Sequence, residues 1–254
     1  MNLQTDSQNN NLKYGLYMFP DIGKSFISDS KGVISKILYL EIDETRSLQI
    51  EKAKTDKYIY VVICGLAGGY YSEPVNVKIE KKFTRAIAGG VGYAKTAANY
   101  AAALYPAIKS QSEGYHQLIW TDGKSHEFVE ESGTMNLFFV INNQLVTPPL
   151  GDTVLDGVTR DSIIHLSKLL NIDVDVRKVS VKEVISSLES GSMSEAFGAG
   201  TAATIAPIKS IGYNNKKYNL PEISEKSISN TLLNKLSNIK FGRELVELNW
   251  LKKI

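Results

Sequence analysis

Apolar and polar residues alternate with a period of two at residues 75–80, Val-Asn-Val-Lys-Ile-Glu, which predicts a half-buried β-strand. Three shorter apolar runs, bounded by turn signals such as Asp122-Gly123 and Asn142-Asn143, predict further strands. These runs cover residues 118–120, 127–129 and 137–141. The pattern therefore predicts four strands in this part of the chain.

An alanine-rich stretch from Lys95 to Ile108 predicts a helix, which Pro106 is expected to kink or end. Roughly the first fifteen residues are rich in Asn, Gln and Ser and are expected to be disordered or loosely attached. Strands and helices occur without an internal repeat, so we expect an α+β or mixed α/β fold. The later elements are expected as helices at 160–171, 181–189 and 223–238, and a strand at 174–179.

The composition is that of an ordinary globular chain of one or two domains, with 254 residues of which 43% are hydrophobic and 22% charged. Basic residues number 29 and acidic residues 27, so the net charge of +2 gives no reason to expect a nucleic-acid partner. The three histidines are too scattered to form a metal-binding motif.

No apolar stretch reaches the length of a membrane span, and the polar N-terminus does not look like a signal peptide. The single cysteine, Cys64, excludes an internal disulfide, suits a reducing compartment and is expected to fill space in the core. We therefore expect a cytoplasmic protein without a membrane partner.

The most informative stretch is residues 89–100, Gly-Gly-Val-Gly-Tyr-Ala-Lys-Thr-Ala-Ala-Asn-Tyr. The small residues on both sides of Lys95 leave room for a bulky group beside its ammonium. That group could be a nucleotide phosphate or the aldehyde of a cofactor. A third interpretation is a surface lysine after a flexible turn.

The phosphate interpretation rests on a near match to the P-loop, G-x-x-x-x-G-K-[ST]. Ala94 replaces the glycine before the lysine, where the loop needs backbone freedom. A P-loop also follows a buried strand, and residues 81–88 are a poor candidate for one. The sequence therefore disfavours a P-loop.

Four later motifs, taken in order with the lysine segment, favour the cofactor interpretation. Together they resemble the branched-chain amino-acid aminotransferases, which are pyridoxal-phosphate (PLP) enzymes of fold type IV. The resemblance runs from about Lys57 to the C-terminus and implies the large C-terminal domain of these D-amino-acid aminotransferase-like enzymes. The motifs are Val-Glu-Glu-Ser-Gly-Thr-Met-Asn-Leu-Phe-Phe at 129–139, Thr-Pro-Pro-Leu at 147–150, Leu-Asp-Gly-Val-Thr-Arg-Asp at 155–161 and Phe-Gly-Ala-Gly-Thr-Ala-Ala at 197–203.

The resemblance implies roles for three residues around the cofactor ring. Lys95 matches the lysine that forms a Schiff base with PLP and then shuttles a proton. Glu131 matches the glutamate that keeps the pyridine nitrogen protonated, although it could instead be a solvated carboxylate beside Glu130. Tyr100 matches the tyrosine that bonds the phenolic oxygen of the cofactor.

The resemblance also assigns the phosphate and the substrate. Gly157, Val158 and Thr159 would offer N–H groups to the phosphate at a helix N-terminus. Asp156 stands where the family usually has proline, and is expected to point away from the phosphate or to cap the helix. The remaining assignments are phosphate binding by Gly200 and Thr201, and substrate binding by Tyr70, Thr201 and Ala202.

Residues 57–254 are expected to form the PLP-binding large domain, whereas residues 1–56 fit the resemblance less well. The family has a small α/β domain before the large one, with an arginine that clamps the cofactor phosphate, and no counterpart is found. Glu41, in Leu-Tyr-Leu-Glu-Ile, replaces a family arginine that recognises a substrate carboxylate. Residues 1–56 are therefore expected to be divergent or truncated, and partly disordered.

Two functions of different class follow from the resemblance. The first is transamination between branched-chain L-amino acids and 2-oxoglutarate through a Schiff base on Lys95, carried out by a homodimer. The second is a non-catalytic or degenerate relative that lacks the small domain. D-amino-acid transaminase and aminodeoxychorismate lyase share the cofactor lysine and glutamate and are further alternatives. Retention of Lys95, Glu131 and Tyr100 favours a catalytic protein.

Overall fold

The computed structural model describes residues 71, 73–244 and 250, and the backbone of four strands in the N-terminal region. The chain divides into two compact units, one formed by Gly69–Glu244 and the other by Met1–Gly68 with Leu245–Ile254. In the smaller unit the strands form two antiparallel pairs. They are β1 (Lys13–Phe19) with β2 (Ile22–Ser28), and β3 (Leu38–Leu40) with β4 (Tyr60–Val62).

The larger unit contains the remaining strands and the helices. Its strands are β5 (Val75–Ile79), β6 (Gln117–Thr121), β7 (Phe128–Ser132), β8 (Met135–Ile141), β9 (Gln144–Thr147), β10 (Val174–Val176), β11 (Val179–Ser180), β12 (Met193–Gly200), β13 (Thr204–Tyr213) and β14 (Lys216–Asn219). Its helices are α1 (Ala97–Ser112), α2 (Val158–Leu169), α3 (Val181–Ser190) and α4 (Ile228–Lys240).

Six strands of the larger unit close into a ring in the order β8-β12-β13-β5-β6-β7, because β7 also pairs with β8. Strands β9 and β10 extend the sheet from β8, while β11 pairs with β7 and β14 with β13. Strand β5 is parallel to both of its neighbours, β6 and β13. Closure leaves the six strands without a free edge and fixes their mutual register.

The apolar residues of the ring form the main core of the larger unit. Val75, Val77 and Ile79 of β5 are at most 2% exposed, so the half-buried strand expected from the alternation is confirmed. Every residue of β8 is buried. Helix α4 is anchored on β12 by Glu195, whose carboxylate accepts hydrogen bonds from the backbone N–H groups of Ile228 at 2.7 Å and Ser229 at 2.9 Å.

The element types expected from the sequence are confirmed, but several boundaries differ. Helix α1 continues past Pro106 to Ser112, so the expectation that the proline ends it is wrong. Pro106 is a buried position of this helix, and its missing N–H removes only one of many intrahelical bonds. The strand expected at 174–179 is two strands, β10 and β11, which pair with different partners. The last helix covers Ile228–Lys240 and not 223–238.

Candidate functional site

Three neighbouring strands bring the first site residues to one level of the ring. Glu131 on β7 is the register partner of Asn136 on β8, and Asn136 is the partner of Ala199 on β12. Directly opposed residues of antiparallel strands share a face, with Cβ atoms about 5 Å apart. The pairing therefore places Glu131 beside Asn136, and Asn136 beside the residue that precedes Gly200.

Glu131 is a buried carboxylate, with only 3% of its surface exposed. Its Oε1 lies 2.6 Å from Nε of Arg85, and its Oε2 accepts a hydrogen bond from the Leu155 N–H at 3.1 Å. Burial raises the pKa of Glu131 to about 7, while Arg85 and the Leu155 hydrogen bond act in the opposite direction. The alternative of a solvated carboxylate is therefore wrong, and Glu131 can exchange a proton near neutral pH.

Arg85 connects three segments of the site and was missed in the sequence. Besides its ion pair with Glu131, its Nη1 donates to the carbonyl oxygens of Thr153 at 2.9 Å and Gly92 at 3.3 Å. A planar guanidinium with five N–H donors suits such a contact better than a lysine does. The sequence shows only an isolated arginine, and its acidic partner lies on a distant strand.

The loop that carries Lys95 packs tightly on the segment around Asp152. A Cβ atom on Gly92 would lie 2.5 Å from Cβ of Ala86 and 2.6 Å from the carbonyl oxygen of Asp152. The N–H of Tyr93 donates to that same carbonyl oxygen at 3.0 Å. Gly92 is therefore required for the close approach of two backbone segments.

The glycines of this loop do not form a P-loop. Residues 81–88 contain no strand, whereas a P-loop follows a buried strand. The N–H of Gly89 donates to the carboxylate of Asp152 at 3.0 Å, so a protein acceptor takes this N–H. The sequence-based argument against a P-loop is confirmed.

Lys95 lies two residues before α1 and has an exposed side chain. Asn99 on α1 fixes the loop, because its side-chain amide donates to the carbonyl oxygens of Val91 at 2.9 Å and Ala94 at 2.8 Å. The charge of Lys95 is close enough to Glu131 to lower the pKa of that carboxyl slightly. The structure therefore brings the predicted lysine and glutamate into electrostatic reach of each other.

The N-cap residue of helix α2 is Gly157, which has no side chain that could cap the helix. Asp156 is exposed and does not cap the helix, so the alternative that it is the helix cap is wrong. The alternative that it points away from a bound phosphate stays a prediction. The first N–H groups of any helix have no intrahelical acceptor, and here they belong to Val158 and Thr159. Together with the helix dipole, these donors favour a bound anion.

Arg160 adds a buried positive charge to the first turn of α2, with 4% of its surface exposed. Its Nη2 donates to the carbonyl oxygen of Pro148 at 2.9 Å, but its Nε has no hydrogen-bond partner among the described residues. Burial lowers the pKa of Arg160, against the influence of Asp156 and Asp161. A cation in the first turn of a helix opposes the helix dipole, so a bound anion at this terminus would offset the unfavourable charge of Arg160.

The turn between β12 and β13, residues 201–203, follows Gly200, the last residue of β12, and lies at the same end of the ring. Gly200 pairs with Thr204 across this hairpin. A Cβ atom on Gly200 would lie 3.2 Å from the carbonyl oxygen of Thr134, in the turn between β7 and β8. The predicted phosphate-binding turn is therefore a close neighbour of the strand end that carries Glu131.

A cavity of about 590 Å³ lies beside these residues and not among them. Its lining includes Phe128, Glu130, Pro149 and Lys178, but none of the residues predicted to bind the cofactor. Glu130 accepts a hydrogen bond from Oγ1 of Thr153 at 2.6 Å, and burial raises the pKa of Glu130. Because neighbouring residues of a strand point to opposite faces, Glu130 lines this cavity, whereas Glu131 lies beside Asn136 in the candidate site. The donor groups, and not this cavity, locate the candidate site.

Several sequence-based expectations fall outside the described residues. They concern Tyr70, Cys64, Glu41 and the order of residues 1–56. Within the described residues, no group of His, Cys, Asp and Glu side chains could hold a metal ion. No helix in that part of the chain is long and apolar enough to cross a membrane.

The family described as amino-transferase class IV matches residues 36–211. Branched-chain-amino-acid aminotransferase 2 of Bacillus subtilis (strain 168) is 34% identical over 243 residues, which cover 94% of this chain and 66% of the relative. A probable branched-chain-amino-acid aminotransferase of Staphylococcus aureus (strain N315) is 36% identical over 207 residues, which cover 80% of this chain and 57% of the relative. The chain thus spans less than two thirds of the length of these relatives.

Solved structures show the same fold. The crystal structure of a branched-chain aminotransferase from the archaeon Thermoproteus uzoniensis with norvaline matches with a TM-score of 0.66 and 26% identity, over 80% of this chain and 64% of that one. A branched-chain amino acid aminotransferase of Thermobaculum terrenum, solved in its PLP form, matches with a TM-score of 0.65 and 22% identity, over 85% of this chain and 66% of that one. The fold-type IV, α+β architecture expected from the sequence is confirmed.

Proposed function

This chain belongs to the amino-transferase class IV family, and we propose that it transfers amino groups between branched-chain L-amino acids and 2-oxoglutarate with PLP as cofactor. The observation that carries the proposal is the buried Glu131–Arg85 pair, joined through Leu155 to the N-terminus of α2. This arrangement offers a carboxylate for a ring nitrogen and N–H donors for a phosphate. Similarity to relatives named for branched-chain substrates supports the substrate class.

The donor set of the described residues fits PLP. The free N–H groups of α2 and the orphaned Nε of Arg160 supply the positive end that a phosphate needs. Lys95 would hold the aldehyde end, Glu131 the ring nitrogen, and residues 157–159 and 200–201 the phosphate. Tyr100, half-buried on α1, would bond the phenolic oxygen. When bound, PLP supplies an aldehyde that condenses with amines and a ring that accepts electrons from the substrate carbon.

The protein groups then have separate tasks. Arg85 holds one oxygen of the Glu131 carboxylate. The other oxygen would accept a hydrogen bond from the ring nitrogen and so keep that nitrogen protonated. Nζ of Lys95 would move a proton between the α-carbon of the substrate and the cofactor, in one direction with the amino acid and in the other with the 2-oxo acid. Thr201 and Ala202, in the turn beside Glu131, would orient the substrate carboxylate.

An assay of the purified chain with PLP, L-leucine and 2-oxoglutarate tests the reaction through the glutamate it forms. D-alanine and aminodeoxychorismate serve as comparison substrates, because two related PLP enzymes act on such compounds. We expect glutamate from L-leucine, with less turnover of both comparison substrates. Preference for either of them would assign the chain to another fold-type IV activity. Absence of all turnover would support the non-catalytic alternative.

The proposal includes a homodimer, which the surface of α1 supports. Leu104, Tyr105 and Ile108 are 61%, 67% and 64% exposed, whereas the buried positions of this helix include the polar residues Asn99 and Ser110. A surface helix ordinarily shows the reverse pattern, and exposed apolar patches mark interfaces.

A second copy of the chain suits this surface. If two α1 helices pack antiparallel about a two-fold axis, Leu104 faces Tyr105 of the other copy and Ala101 faces Ile108, so apolar side chains oppose one another. Lys109 is the only charged residue of the helix, so no like charges oppose each other at its centre. Ile87 and Tyr93 are further exposed apolar side chains of the larger unit, at 57% and 52%.

We expect the double substitution Leu104→Glu and Ile108→Glu to convert a dimer into a monomer, since it would bury unpaired carboxylates against the apolar side chains of the other copy. Light scattering coupled to size-exclusion chromatography measures the mass. Leu169→Glu, at an apolar residue 53% exposed on α2, is the matched control and should leave the dimer intact. A monomeric wild type, or a dimeric double variant, would contradict this surface.

A further inference from the structure

We propose that Asn136 is a positioning residue that holds the N-terminus of α2 at a fixed distance from Glu131, and thereby sets the affinity for the phosphate end of the cofactor. The inference rests on the proposed function. Asn136 lies on β8 between its register partners Glu131 and Ala199 and is 5% exposed. It is therefore at the centre of the groups assigned to the ring nitrogen and to the phosphate.

The side chain of Asn136 contacts both residues that lead into α2. Its Nδ2 donates to the carbonyl oxygen of Leu155 at 2.8 Å. Its Oδ1 lies so close to Gly157 that a Cβ atom on that residue would be only 2.1 Å away. No side chain larger than hydrogen therefore fits at Gly157 while Asn136 keeps this position.

Leu155 is consequently held at both of its backbone groups. Glu131 of β7 accepts its N–H at 3.1 Å, and Asn136 of β8 binds its carbonyl oxygen. The N-cap residue of α2, Gly157, follows two positions later. Two adjacent strands thus fix the place where the helix begins, relative to the carboxylate that would face the ring nitrogen.

A rigid link of this kind matters for a ligand that carries an anion at one end and a ring nitrogen at the other. Both ends are bound together only when the two protein groups keep the separation that the ligand has. Asn136 supplies one N–H donor and no charge. An aspartate there would oppose a carboxylate oxygen to the Leu155 carbonyl oxygen and would add a negative charge close to the phosphate donors.

The test compares the dissociation constants of PLP and of pyridoxal, which lacks the phosphate, by absorbance titration of the purified chain. For Asn136→Asp and Asn136→Ala we expect the constant for PLP to rise about tenfold or more, as for the loss of one positioned hydrogen bond, and that for pyridoxal to change less than about twofold. The preference for the phosphorylated ligand would therefore decrease. If Asn136 had a merely structural role, the dissociation constants of both ligands would rise by the same factor.

One further variant controls for folding and for general damage. Asn99→Ala removes another buried asparagine, whose side chain holds the loop that carries Lys95, and should affect PLP and pyridoxal alike. If the Asn136 variants leave the ratio of the two constants unchanged, the positioning role is refuted. A wild type that binds neither ligand refutes the proposed function itself.

Discussion

Replacement of Lys95 by alanine is expected to lower the rate of glutamate formation from L-leucine and 2-oxoglutarate by at least about 10³-fold, since proton transfer by a positioned side chain alone contributes 10²–10⁴. The side chain is exposed and makes no contact that the core needs, so the variant should fold normally. Thermal unfolding of the variant checks this point. Steady-state kinetics measure the loss, which should appear in kcat.

Lys124→Ala is the matched control for Lys95→Ala. Lys124 is also exposed, but it lines the neighbouring cavity and not the candidate site. Its removal should leave kcat within about twofold of the wild-type value, as is usual for a surface lysine outside the site. Equal losses in both variants would show that Lys95 has no special role.

Replacement of Arg85 by alanine is expected to destabilise the protein by about 3 kcal/mol at pH 8, because it leaves the Glu131 carboxylate buried without its cation. The same change removes the donors to the carbonyl oxygens of Thr153 and Gly92. Urea unfolding of the protein without added cofactor measures the free energy of unfolding. Below pH 7 the loss should be smaller, since Glu131, whose pKa burial raises to about 7, then takes up a proton.

Arg177 provides the matched control, since it also pairs with carboxylates but is 36% exposed. Arg177→Ala should cost about 1 kcal/mol or less, as exposed ion pairs do. Adding Glu131→Gln to Arg85→Ala should restore part of the lost stability, because the buried charge is then gone. If Arg85→Ala costs no more than Arg177→Ala, the buried pair does not organise the site.

The sequence predicted those parts of the fold whose pattern is local. The alternation at 75–80 reports one buried face of β5, and the helix expected at 160–171 is present at Val158–Leu169. Pro106 misled the expectation for α1, because the helix buries the proline and continues. Ring closure between β7 and β8 is a long-range pairing that no local pattern encodes.

In the candidate site, too, local motifs could be predicted from the sequence and long-range contacts could not. Lys95, Glu131 and residues 157–159 were predicted because their motifs resemble a known family. Arg85 and Asn136 were missed, although both are buried and both contact the segment around Leu155. Their partners lie on other strands or loops, so their roles depend on the folded register and not on neighbouring sequence. A buried arginine whose acidic partner is 46 positions away in sequence, as Glu131 is from Arg85, is a signal only once the fold is known.

Some predictions stay as they were made. The roles of Tyr100 and Thr201 toward the cofactor, the cytoplasmic location, and the division of the chain near residue 57 rest on the resemblance or on composition. The role of Tyr70 falls outside the described residues. The substrate assay and the variants described above decide between a working transaminase and a degenerate relative.

The most direct test of the central claim is to add PLP to the purified chain, record the absorbance spectrum, reduce with borohydride and map the modified peptide by mass spectrometry. We expect a new absorbance band on PLP addition and a reduced adduct on Lys95, in the peptide that contains residues 89–100. Absence of the band, or an adduct spread over surface lysines such as Lys124, would contradict the assignment of Lys95 and, with it, the catalytic function proposed for this chain.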